Sequence, residues 1–181
     1  MKRQAIEDMK RWKESPRRKP LIVSGARQVG KTWLMKEFGR AYFRETAYIT
    51  FDDNPQLIAA FEGSLSPNRL LPILQAEAGV RIDKHTLLIL DEIQESPRAI
   101  QSLKYFNELA PEYHIVAAGS YMGLALRREN ESFPVGKIDQ LTMRPMGFAE
   151  FVRAVDGDPL ADAILAADMN LLANVTEKLE H

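Results

Sequence analysis

Gly25, Gly30, Lys31 and Thr32 occupy the fixed positions of the pattern G-x-x-x-x-G-K-[ST], in the run Gly25-Ala26-Arg27-Gln28-Val29-Gly30-Lys31-Thr32. Residues of these types at this spacing suit the cradling of a phosphate chain. The two glycines open backbone dihedrals closed to other residues and let the main chain come close to a ligand. Successive N–H groups then converge on phosphate oxygens. A helix beginning near Lys31 adds its positive dipole end. Lys31 is placed to reach β- and γ-phosphates and to stabilise charge at the bridge between them, and the Thr32 hydroxyl to hold Mg²⁺. Trp33 follows directly, so Gly25, Ala26, Arg27, Gln28, Val29, Gly30, Lys31, Thr32 and Trp33 form the expected contact set for nucleotide. The apolar run Leu21-Ile22-Val23 before the loop and the helix-like segment Thr32–Phe38 after it supply the strand–loop–helix setting.

A second chemical stretch lies about 60 residues on. Leu87-Leu88-Ile89-Leu90-Asp91-Glu92 has the form of a Walker B strand. Its apolar residues suit a strand buried on both faces. Asp91 at the tip is a ligand for the Mg²⁺ that Thr32 also touches. Glu92, one residue on, is positioned to orient and deprotonate a water attacking the γ-phosphate. Ser120 follows the apolar stretch Tyr113–Ala118 and Gly119. It would sense the γ-phosphate if that strand lies between the other two, and it suits a helix N-cap equally well.

Other chemistries find less support. The chain has no cysteine, hence no disulfide framework and no thiolate metal site. His85 and His114 flank strands without metal-ligand spacing and read as structural. The Asn-Lys-x-Asp motif of guanine recognition is missing, which favours adenine. No apolar run approaches membrane-spanning length, and the N-terminus lacks the apolar stretch of a signal peptide, so a cytoplasmic protein is expected. The net charge of −1 conceals an asymmetry: residues 1–20 carry eight Lys/Arg and three Asp/Glu. A basic N-terminus suits nucleic acid or a phosphorylated partner, but with aromatic interleaving limited to Trp12 a solvated helix face is favoured.

The elements that must position these residues follow from periodicity. Ile6, Met9 and Trp12 recur at helical spacing in residues 1–14, and Ser15-Pro16 ends that helix. Strands are expected over Lys19–Ser24, Ala47–Phe51, Thr86–Leu90, Tyr113–Ala118 and within Val135–Met143. Helices are expected from the phosphate loop to about Phe43, through Phe61, from Ser66-Pro67 to near Gly79, from Pro97 to Pro111, over 121–128, over Gly147–Val155 and after Pro159. Strands alternating with helices imply an α/β parallel sheet, with ligands at the strands' carboxyl ends. All three chemical stretches lie at such ends. At 181 residues the chain is expected to form one domain over 1–178, with 1–17 as helix and linker. Leu179-Glu180-His181 reads as a tag remnant, so the natural chain is expected to continue past Lys178.

Taken together, these motifs resemble a prokaryotic branch of the AAA-type P-loop ATPases, in which the ATPase core is usually followed by a C-terminal domain of unknown function. The resemblance covers roughly residues 18–155. It rests on the phosphate loop, Leu88-Ile89-Leu90-Asp91-Glu92-Ile93-Gln94, Ala118-Gly119-Ser120, Phe133-Pro134-Val135-Gly136-Lys137 and Leu141-Thr142-Met143-Arg144-Pro145-Met146-Gly147-Phe148-Ala149-Glu150-Phe151. It implies a three-layer α/β/α sandwich with a five-stranded parallel sheet ordered 5-1-4-3-2. It implies ATP and Mg²⁺ as ligands, Ser120 as sensor and a C-terminal partner domain. It also implies a homo-oligomer, in which a neighbouring subunit lends an arginine; Lys137 stands at the corresponding position, with Arg127 and Arg128 as alternatives. Lysine matches a bidentate phosphate contact less well than arginine. The expected function is Mg-dependent ATP hydrolysis that drives a partner. The competing functions are a nucleotide switch with little turnover and a nucleic-acid-associated motor.

Overall fold

The computed structural model describes residues 4–119, 134, 136–145 and 162. Helix α1 (Gln4–Glu14) precedes β1 (Leu21–Ser24), which leads through the glycine-bearing loop into α2 (Lys31–Tyr42). Then come β2 (Glu45–Thr50), the short α3 (Pro55–Ala60), α4 (Pro67–Ala78) and β3 (Thr86–Asp91). A 3₁₀ turn (Ile93–Glu95) leads into α5 (Pro97–Leu109), followed by β4 (His114–Gly119) and β5 (Asp139–Thr142). The five described strands form one sheet in the order β2-β3-β4-β1-β5, with every pair parallel. This is the expected order read from the other edge. β4 lies between β3 and β1, as a γ-phosphate sensor after β4 would require.

Alternation along the strands splits the core in two. Leu87 and Ile89 of β3 point to one face, where Met9 and Trp12 of α1 join Leu34, Met35 and Phe38 of α2. Leu88 and Leu90 point to the other, with Leu57, Leu70, Leu74, Leu103 and Phe106 of α3, α4 and α5. Both faces are thus covered, which is why β3 is buried at all six positions. Helix α1 packs in this core through Met9 and Trp12. Trp12 is buried, and its Nε1 donates to the Lys19 carbonyl at 2.8 Å, fixing the entry into β1.

Local signals explain the starts of α3 and α5. Asn54 and Ser96 cap α3 and α5 by accepting from the N–H groups of Leu57 and Ala99. Ser66 stands at the N-cap of α4, but its hydroxyl makes no cap hydrogen bond. The helix carries Pro72 in its interior. The helices expected over 121–128, Gly147–Val155 and beyond Pro159 lie outside the described residues, apart from the helical Asp162.

Gly39 has a packing reason for interrupting the helix-forming residues of α2. A β-carbon there would lie 2.4 Å from Thr46 Oγ1 and 2.9 Å from its Cγ2 on the neighbouring strand. Gly39→Ala should therefore destabilise the fold by about 1–3 kcal/mol, the usual cost of overpacking. Denaturant unfolding checks this, and the double variant Gly39→Ala/Thr46→Ala should recover most of the loss. An undisturbed midpoint in the single variant would show that helix and strand separate freely.

Candidate site at the carboxyl end of the sheet

The loop after β1 turns over residues 27–30, and its first glycine packs tightly. Gly25 sits against the chain leaving β5: a β-carbon on it would lie 2.4 Å from the Met143 carbonyl oxygen. The Met143 N–H in turn donates to the Ser24 carbonyl at 2.7 Å, and its methyl reaches toward Gly30. Gln28 takes a left-handed conformation, φ 63°, without being glycine, and Gly30 at φ 91° begins α2. A non-glycine residue in that region stores strain that the surrounding structure must hold. Lys31 is 6% exposed, and its Nζ donates to the loop carbonyls of Gly25 and Ala26 at 3.0 and 2.8 Å. The ammonium thus lies folded over the loop.

The tip of β3 meets this loop directly. Thr32 Oγ1 donates to Asp91 Oδ2 at 2.7 Å, across 59 residues of sequence. Asp91 is buried, and its other oxygen accepts the Glu92 N–H at 3.0 Å. The two hard oxygen groups fit Mg²⁺, which characteristically takes one or two carboxylates and completes its shell with water and substrate phosphate. Tyr48 of β2 was not evident from sequence. Its hydroxyl donates to Asp91 Oδ2 at 3.1 Å. Burial, together with the neighbouring Asp91 carboxylate, pushes the Tyr48 pKa up to about 12. Tyr48 therefore stays a proton donor throughout the physiological range and steadies the carboxylate. The available clue was strand order: with β2 beside β3, Tyr48 stands opposite Ile89 and Thr50 opposite Asp91.

Glu92 adopts a left-handed backbone, φ 50°, at the turn out of β3. Its Oε2 accepts from Gln94 Nε2 at 2.5 Å, while Gln94 Oε1 is buried with no hydrogen-bond partner among the described residues. Glu92 shares an open cleft of about 590 Å³ with Arg27, Gln28, Gly30, Lys31 and Thr32. Asp52 and Glu95 also line it. Of the expected contact set, Gly25 and Ala26 lie beneath Lys31, Val29 packs on the core, and Trp33 is 42% exposed outside the cleft lining. Ser120, Arg127 and Arg128 lie outside the described residues. Lys137 precedes β5 at the opposite end of the sheet and pairs with Glu108 at 2.9 Å. It therefore lies away from the phosphate loop of its own chain.

A family model described as an AAA domain matches residues 17–152. DnaA from Aquifex aeolicus, solved bound to AMPPCP, aligns with a TM-score of 0.53 and 16% identity over 98% of this chain and 60% of its own. At that identity the likeness is one of fold. The ORC1 protein of Aeropyrum pernix, solved in complex with DNA, aligns with a TM-score of 0.47 and 15% identity over 84% of this chain and 46% of its own. The chain thus spans less than two thirds of each of these neighbours. No curated protein matches it in sequence.

Proposed function

Since the chain belongs to the AAA domain family, we propose that it binds ATP at the loop 25–32 and hydrolyses it with Mg²⁺, to drive or switch a partner protein or further domain. The observation that carries this reading is the 2.7 Å hydrogen bond from Thr32 to Asp91, which joins the phosphate loop to the tip of β3 at one point. Loop N–H groups and the α2 N-terminus would hold the phosphates. Lys31 would leave the Gly25 and Ala26 carbonyls for the β- and γ-phosphates. Thr32 and Asp91 would hold Mg²⁺, which when bound neutralises charge on the phosphate oxygens. Glu92 would take a proton from the attacking water. Ser120 would sense the γ-phosphate, and an arginine or Lys137 from a neighbouring subunit would complete the charge clamp.

Asp91→Ala tests the metal assignment most directly. ATP affinity of the parent should fall by about tenfold or more when Mg²⁺ is chelated, as one lost charge-assisted contact implies. The variant should bind equally well with and without the ion. A Mg²⁺ requirement that survives in Asp91→Ala places the ion elsewhere.

A second reading also has an observation behind it. Gln94 holds the Glu92 carboxylate at 2.5 Å, so the proposed base is engaged by a neighbour. A nucleotide switch with slow turnover would look this way until a partner frees Glu92. Gln94→Ala should then raise the turnover of the isolated domain; an unchanged or lower rate removes support for the switch.

A further inference from the structure

The opposite end of the sheet carries a second cleft, of about 660 Å³, whose cationic side chains come from separate segments. Lys13 enters from the end of α1, Arg18 from the α1–β1 linker, and Arg44 from just before β2. Lys84 and His85 precede β3, and His114 begins β4. Among the described residues, the one carboxylate in the lining is Glu112. Sequence order hides this convergence, because 101 positions separate Lys13 from His114.

Two of these cations are fixed by carbonyls and not by carboxylates. Lys13 Nζ donates to the Tyr42 carbonyl at 2.6 Å and lies 4.6 Å from the centre of the Phe43 ring. Arg18 donates to the Pro111 carbonyl at 2.8 Å, and its half-buried guanidinium is held below its ordinary pKa by that burial. Carbonyl anchors hold the groups in place but leave their net charge unbalanced. Arg44 alone has a carboxylate partner among the described residues, Asp83 at 2.7 Å. His114 packs edge-on against Phe43 and Trp12, and its Nδ1 is buried without a hydrogen-bond partner among the described residues. A buried polar atom left unpaired costs free energy that a ligand atom would recover. Tyr42 and Phe43 add apolar surface beside the charges.

We propose that this cleft is a second ligand site, distinct from the phosphate loop, which takes a small phosphate-bearing organic molecule and in which His114 gains a proton as the ligand binds. Arg18, Lys13 and Lys84 grip the phosphate, and the organic part lies against Tyr42 and Phe43. In the ligand-free protein, burial and the cations Arg18 and Lys13 hold the His114 pKa down to about 4, so the ring is neutral at neutral pH. A bound dianion opposes those cations and favours the imidazolium, whose Nδ1–H then has an acceptor. Arg44 adds positive charge at the rim, where His85 also lies; Glu112 and Asp83 oppose it. By linkage, affinity rises as pH falls below the His114 pKa of the complex, by at most about tenfold per pH unit for one proton.

Sulfate is the first probe, because it keeps its charge across the neutral range where phosphate does not. The readout is the His114 ring resonance of the whole chain, which reports this cleft and not the phosphate loop. Sulfate should shift that resonance saturably, and more tightly at lower pH. Lys84→Ala, at an exposed position, and Arg18→Gln should each weaken binding about tenfold. His114→Gln should bind with a pH-independent affinity equal to the parent's at high pH, followed through the His85 resonance. Phenyl phosphate should bind more tightly than sulfate. An unmoved His114 resonance, or a shift that Arg18→Gln and Lys84→Ala leave intact, overturns the site. A pH dependence that survives in His114→Gln and vanishes in His85→Gln overturns the role of His114. Displacement of sulfate by a short single-stranded oligonucleotide, with no gain from phenyl phosphate, overturns the small-molecule assignment in favour of nucleic acid.

Discussion

Lys31→Ala should lower ATP affinity by at least about a hundredfold. The side chain is buried, so its charge acts where water screens it poorly. Two charge-assisted contacts to phosphate at about 1.5–3 kcal/mol each give roughly 3–6 kcal/mol, or more than two decades in affinity. The same ammonium donates to the Gly25 and Ala26 carbonyls, so its loss also loosens the loop. The unfolding midpoint should be recorded alongside the titration to separate the two effects. Lys31→Arg is the second variant, since it keeps the charge but adds a planar fork to a loop shaped around a compact ammonium. It should recover little of the loss. ATP binding to Lys31→Ala at parental affinity, by a folded protein, would mean that the nucleotide sits elsewhere.

Glu92→Gln should separate binding from turnover. The substitution keeps shape and removes the proton acceptor. Hydrolysis should fall by about 10²–10⁴, the range for loss of a positioned general base. ATP affinity should change by less than about threefold, because Lys31, Thr32 and Asp91 carry the phosphate and metal contacts in the proposed mode. Phosphate release and ATP titration on the same preparation read both numbers. Turnover at the parental rate in Glu92→Gln would assign the base to another carboxylate, with Glu95 in the same cleft the first to try.

The phosphate loop and the tip of β3 were legible because their chemistry constrains neighbouring positions in the chain. A glycine, a lysine and a hydroxyl must follow one another to surround one phosphate group, so a short window shows them all. The central strands were legible for a similar reason: burial on both faces of β3 makes Thr86–Asp91 an apolar run ending at a carboxylate. Tyr48 was not legible, because its role depends on β2 lying beside β3 in a given register, a long-range fact with no local signature. The Gln94–Glu92 contact depends on the left-handed turn at Glu92, and nothing in the residue type requires that conformation. The basic N-terminus was favoured as a solvated face, whereas Lys13 and Arg18 are anchored to carbonyls of segments reached only after α2 and α5. Helical periodicity placed Trp12 toward the core, but it cannot say what the flanking cations will meet.

The backing of the phosphate loop by Met143 has a mechanical consequence. Gly25 has no room for a side chain beside the Met143 carbonyl, the Met143 N–H is tied to Ser24, and the Met143 methyl rests near Gly30. The chain leaving β5 is therefore strapped to the floor of the loop at three points. A ligand that rearranges the loop must move this strap, and a tension applied to the chain after Met143 must deform the loop. Because such coupling is reciprocal, the factor by which nucleotide alters the position of the strap is the factor by which a load on the strap alters nucleotide affinity. In a transducer of this design, force and occupancy would be read through the same three contacts.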